Sequence, residues 1–228
     1  MKTTTKNIII SKPKLWSKLW CKNNKICLQA VKQNGLTLKS VDNQTPEICL
    51  EAVKQNGLAL KFVKKQTLEI CLEAVKRNGL ALYFVEEQTE QICLEAIKQY
   101  SSALKYVKNQ TNIMCLLAVK NNGWSLQFVV EIQTPEICLE AVKNFGFSVK
   151  FVKNQTPKIC FEAVKQDINA YEHVKEKTLK IYFYFVIYKI IKKCADIIDK
   201  IILSIFFPLI LQFMGFIIYM FFKLYETK

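Results

Sequence analysis

Between Glu47 and Gln55 the polar side chains Glu47, Glu51, Lys54 and Gln55 gather in one arc of a helical wheel, and Ile48, Cys49, Leu50, Ala52 and Val53 fill the wider remainder. Such a distribution predicts a helix covered on several sides. Thr45-Pro46-Glu47 marks its start: a threonine oxygen that caps free N–H groups, a proline whose fixed φ suits the first turn, and an acid that meets the positive end of the helix dipole. Asn56-Gly57 comes next and reads as a left-handed helix end, with Gly35, Gly79, Gly123 and Gly146 at the same offset. A second, shorter helix is expected after it. There Ala59, Leu60 and Val63 share one side, Leu58 and Phe62 form an adjoining stripe, and Lys61 and Lys64 face water. The predicted unit is a two-helix hairpin.

The cycle recurs along the chain. Cys27, Cys49, Cys71, Cys93, Cys115, Cys138 and Cys160 are separated by five intervals of 22 residues and one of 23, and the segment Gln44 to Lys65 returns almost unchanged as Gln66 to Glu87. Chains below about 40 residues rarely hold a core unaided, so each hairpin must bury its apolar side against the next. Val41, Val63, Val85, Val107, Val129, Val152 and Val174 stand at one position of every unit, as a shared interior column requires. The expected fold is all-α: a solenoid of seven 22-residue helical hairpins over 22–176, followed by a C-terminal transmembrane helix. One extra residue between Phe128 and Gln133 lengthens a loop, and Asp167-Ile168-Asn169 makes the last unit a degenerate cap. The unit TPEICLEAVKQNGLALKFVK, in which Cys, Ala-Val-Lys and Asn-Gly recur together, resembles the repeat of the family called domain of unknown function 4116. That resemblance implies a helical repeat common in giant DNA viruses of amoebae and some other microbes, with no established catalytic site to carry over. Units four and seven depart from it by lacking the glycine.

Charge changes the picture only once it is placed. The formal net charge is +14, yet 1–25 holds seven lysines and no acid, 26–176 holds 18 basic against 16 acidic residues, and 177–228 holds eight against three. The array is nearly neutral and the ends are basic. Arg77 is the one arginine among 33 basic residues, whereas phosphates and guanines are read best by bidentate arginine. Nucleic acid is therefore a disfavoured partner, kept as an alternative together with anionic lipid.

The periodic cysteines raise disulfide and metal chemistry. Equivalent positions on stacked helices lie about 8 to 10 Å apart, too far for a disulfide, and zinc ligands usually come in close pairs. Small buried side chains in a reducing compartment are the expectation. Glu47 with Glu51, Glu69 with Glu73 and Glu136 with Glu140 read as solvated pairs at helix starts rather than acid–base dyads. His173, the single histidine, has no nucleophile motif near it. No enzyme activity, cofactor or metal is expected. The candidate partner-binding stripe is Phe62, Phe84, Tyr106, Phe128 and Phe151, enlarged by Trp124 and by Phe147; packing between units is the other reading of that column.

The tail supplies a location. Ile201 to Phe222 is 22 residues without a charge between Lys200 and Lys223, about 33 Å at about 1.5 Å per residue, which reads as a single transmembrane helix. The organisation expected is a basic arm over 1–21, the array over 22–176, a basic juxtamembrane segment over 177–200, the span over 201–222 and a short tail over 223–228. Lysines concentrated before the span place the array in the cytosol by the positive-inside rule, and Lys189, Lys192, Lys193 and Lys200 are candidate contacts to anionic lipid head groups. Residues 181–188 suit an interfacial helix, with a second crossing over 179–191 as the alternative. The function expected is a membrane-anchored, non-enzymatic scaffold or adaptor for an unidentified protein partner, on a host-cell or virion membrane if the origin is viral. A self-associating structural membrane component is the runner-up.

Overall fold

The computed structural model describes residues 24–200, and within them seven α-helices alternate with seven short 3-10 helices. The arm at 1–21, the transmembrane helix expected at 201–222 and the tail at 223–228 lie outside the described residues. The chain divides into two compact bodies, Met1–Val174 and Lys175–Lys228. In the first, α1 (Asn24–Gln33), α2 (Pro46–Gln55), α3 (Leu68–Arg77), α4 (Glu90–Gln99), α5 (Asn112–Asn121), α6 (Pro135–Asn144) and α7 (Pro157–Gln166) are each followed by a six-residue 3-10 helix, from Gly35–Ser40 to Ile168–His173. Each hairpin packs on its neighbours in sequence, which is the defining property of a solenoid.

Local chemistry starts α2 to α7 as expected. The hydroxyls of Thr45, Thr67, Thr89, Thr111, Thr134 and Thr156 accept from the N–H of Ile48, Ile70, Ile92, Met114, Ile137 and Ile159, and Pro46, Pro135 and Pro157 occupy the first helical position. At the other end the structure corrects the sequence reading. No glycine and no other described residue has a positive φ, so Asn56-Gly57 is not a left-handed cap. Asn56 is extended (φ −148°), and its side chain accepts from the N–H of Leu58 to start the 3-10 helix Gly57–Phe62.

The glycine answers to the neighbouring unit. A Cβ built on Gly57 would lie 2.4 Å from the carbonyl oxygen of Ala74, and one on Gly35, Gly79, Gly123 or Gly146 would meet Ala52, Ala96, Ala141 or Ala163 in the same way. Each of these five 3-10 helices thus starts in backbone contact with the next α-helix. Ser101 and Ile168 take the glycine's place in units four and seven, and Ser101–Tyr106 and Ile168–His173 still form 3-10 helices. The hairpin survives the loss; the tight junction does not. Units four and five pack less closely, and a polar cleft of about 490 Å³ opens beside Tyr100, Ser101 and Asn122.

Between these contacts lies one continuous interior. Ile70, Cys71, Ala74 and Val75 from α3, with Ala81, Leu82 and Val85 after it, are buried, and so are their equivalents throughout units two to six. The side chains are small or branched, because backbones this close leave room for nothing larger. Full burial of a leucine such as Leu82 contributes about 2 kcal/mol, and Leu38, Leu60, Leu104 and Leu126 repeat that gain. The second body is described as one helix over 179–200.

Candidate interaction surface

The 3-10 helices carry the sequence-predicted stripe, and the structure places it at the surface edge of the core. Phe62, Phe84, Tyr106, Phe128, Phe151 and Trp124 are all half-buried, each packed on its inner side and open on its outer side. Leu58 and Tyr83, 36% and 64% exposed, extend the apolar surface outward. In units one to four a shallow groove of about 300 Å³ runs between Leu36, Leu58 and Leu80 on the one hand and Phe62, Phe84 and Tyr106 on the other. In units five to seven the rings cluster: Trp124 meets Phe151 edge-on at 5.1 Å and Phe145 at 5.4 Å, Phe145 stacks on Phe147 at 5.8 Å, and Phe147 meets His173 at 5.4 Å. Phe145 and His173 were not in the predicted stripe; both stand at equivalents of positions occupied elsewhere by asparagine and by an aromatic.

Lysines border these rings. The Lys105 ammonium sits 4.6 Å from the Tyr106 centroid, Lys150 sits 4.0 Å from Trp124 and 4.8 Å from Phe151, and Lys61 lies 5.9 Å from Phe84. A cation over a ring face is attracted by its quadrupole. Phe84, Tyr106, Trp124 and Phe151 are therefore held in place on both sides, and this part of the face is apolar with a cationic border.

What fixes this face to the core is a side chain that sequence reasoning passed over. Gln44, Gln66, Gln88, Gln110, Gln133 and Gln155 stand two residues before each α-helix from α2 to α7. The Gln66 amide donates to the carbonyl of Phe84 at 2.8 Å, and its oxygen accepts from the N–H of Glu86 at 3.1 Å and from the Cys71 thiol at 3.3 Å. Gln44, Gln88 and Gln110 make the same bonds around Phe62, Tyr106 and Phe128, and Gln133 makes the two backbone bonds around Phe151. Gln44, Gln88, Gln110 and Gln155 also donate to a carbonyl in the preceding 3-10 helix, at Leu38, Leu82, Leu104 and Val149. One amide therefore closes its own hairpin and bonds it to the previous one. The signal for it was present, since the glutamine repeats with the period, but its partners lie 18 and 20 residues away.

The same network explains the cysteines. Cys27, Cys49, Cys71, Cys93, Cys115, Cys138 and Cys160 are buried and reduced. Burial pushes the thiols of Cys49, Cys93 and Cys138 up and those of Cys71 and Cys115 to about 11, so they stay protonated at neutral pH and are poor nucleophiles. The mid-helix glutamates pair with a lysine one turn on: Glu51 with Lys54 at 3.4 Å, Glu95 with Lys98 at 3.3 Å and Glu140 with Lys143 at 3.7 Å. His173 packs on Phe147.

In the second body, Lys189, Lys192, Lys193 and Lys200 are exposed on the helix over 179–200, as are Cys194 and the isoleucines at 187, 190, 191, 197 and 198. Among the described residues no helix is long and apolar enough to cross a membrane.

Comparison with known families identifies the repeat. The family model described as domain of unknown function, DUF4116, matches residues 23–68, 45–89, 67–111 and 114–156. The first three matches overlap and start 22 residues apart, one repeat length, and the fourth follows without overlap. No curated protein and no solved structure matches the chain.

Proposed function

The chain belongs to the DUF4116 family, and from that premise we propose that its array is a non-enzymatic scaffold that holds a protein partner against the aromatic face. The observation that carries this reading is the division of side chains: the interior takes aliphatics, cysteine, Met114 and the small Ser125 and Ser148 but no aromatic of the array, whereas Phe62, Phe84, Tyr106, Trp124, Phe128 and Phe151 are held half out of it along one line. Contiguous exposed apolar surface is a cost in water that is recovered when a partner covers it, and aromatic anchors of this type dominate binding energies. Because the rings are already ordered by neighbours and lysines, little side-chain freedom remains to be lost on binding. The protonated, glutamine-bound thiols support a non-enzymatic role.

We further propose that the chain is tethered to a membrane through 201–222, with the array on the cytosolic side. The charge-free run between Lys200 and Lys223, and the lysines concentrated before it, support this part of the reading.

A photo-crosslinker placed at Tyr83, on the face, and separately at Glu73, on the polar arc of α3, tests the scaffold in cells that make the full chain. The expected result is a discrete crosslinked protein from Tyr83 and not from Glu73. Equal crosslinking from both positions, or none from Tyr83, contradicts it.

A further inference from the structure

The helix over 179–200 changes character along its length. At 3.6 residues per turn, Ile187, Ile190, Ile191, Cys194, Ile197 and Ile198 fall within one arc of its second half, and Lys189, Lys192, Lys193, Asp196, Asp199 and Lys200 fall within the opposite arc. Both arcs are exposed. The isoleucines range from 48% exposed at Ile197 to 63% at Ile191, a large apolar strip for the surface of any folded body.

We infer that residues 187–200 are an interfacial helix that lies on an anionic bilayer, its isoleucine arc among the acyl chains near the head groups and its lysine arc facing the lipid phosphates and water. This inference rests on the membrane tether proposed above. Three observations favour lipid as the occupant. The polar arc holds four lysines against two aspartates, a positive surface that suits anionic head groups at about 1 kcal/mol per lysine near the membrane. The chain passes directly from Lys200 into 22 uncharged residues, which keeps the end of this helix at membrane level and makes contact with the surface an intramolecular event. The apolar arc covers two heptads, whereas pairing with a second copy as a coiled coil needs about three to four. Lys180 and Lys189 weigh against the alternative of a second crossing over 179–191, because charge within the bilayer is costly. Nothing in the sequence pattern of 181–188, where apolar residues occupy most of the wheel, marks a polar face; the two-sided segment is the one that follows.

Depth measurement by electron paramagnetic resonance tests the inference on the full chain, with Cys21→Ser, reconstituted in phosphatidylcholine–phosphatidylserine vesicles. One sample carries a nitroxide on Cys194, the exposed thiol of the apolar arc; the other carries it on Asp196→Cys in a Cys194→Ser background. The expected result is that the Cys194 label collides with oxygen and is shielded from a water-soluble nickel chelate, the Asp196→Cys label shows the reverse, and the difference shrinks in pure phosphatidylcholine and in Lys189→Glu/Lys192→Glu/Lys193→Glu. If both labels collide with nickel while the chain stays in the vesicles, the tether holds and the interfacial helix is overturned. If the chain leaves the vesicles altogether, the tether fails with it. A Cys194 label shielded from nickel but broadened by a second spin identifies a copy of this chain as the occupant and also overturns the inference.

Discussion

A glutamine amide offers two donors and an acceptor from one rigid group, and here all of them are used at the seam between hairpins. Gln66 replaces missing partners for the carbonyl of Phe84, the last residue of a 3-10 helix, and the N–H of Glu86 just beyond it, where the backbone has no ladder of its own. Leucine in its place would keep the size and leave those groups without a bond. Gln66→Leu is therefore expected to lower stability by about 2 kcal/mol, read from thermal or denaturant unfolding, with Gln66→Leu/Cys71→Ala costing less than the sum of the two single changes because the thiol shares the same oxygen. Had Gln66 been only a surface residue of the linker, the substitution would stay within about 0.5 kcal/mol.

At the scale of elements, the threonine caps, the prolines at helix starts and the valine column were legible because their partners lie within a turn or at the repeat distance. What was not legible depended on the neighbouring unit. Asn-Gly is a common helix-ending signal by local rules, and the sequence reading followed those rules; the structure instead has an extended asparagine and a glycine whose missing Cβ admits the Ala74 carbonyl. Steric fit across a junction leaves no trace in local periodicity. Likewise the period announces two helices without saying that the second is 3-10, and the linker glutamines repeat without revealing what they bond. The aromatic column was read as either packing or binding surface, and the half-burial of its rings shows why spacing alone left both open. The glycine account makes a comparison possible: Gly57→Ala should cost about 1 to 3 kcal/mol by forcing a closed junction apart, while Ser101→Ala, at the one junction already open, should change stability by less than about 0.5 kcal/mol. Equal effects at the two sites would show that the close approach does not govern the stacking.

For the molecule as a whole, repetition turns a weak local feature into an extended one. A single hairpin presents one or two half-exposed rings; units two to six in register present a line of them, ordered by the glutamine ladder behind and the lysines beside. Stability in such a stack is close to a sum over units and junctions, so substitutions on the outer face should be separable from those in the interior. That separation decides whether the face is a binding surface or part of the core. The most direct test is one doubly substituted full chain, Leu58→Ser/Tyr83→Ser, followed by melting temperature and by capture of the partner crosslinked at Tyr83. The account predicts a melting temperature within about 4 °C of the unsubstituted chain together with loss of the partner. A partner retained at full strength, or a collapse of the melting temperature that shows these side chains to be structural, would contradict it.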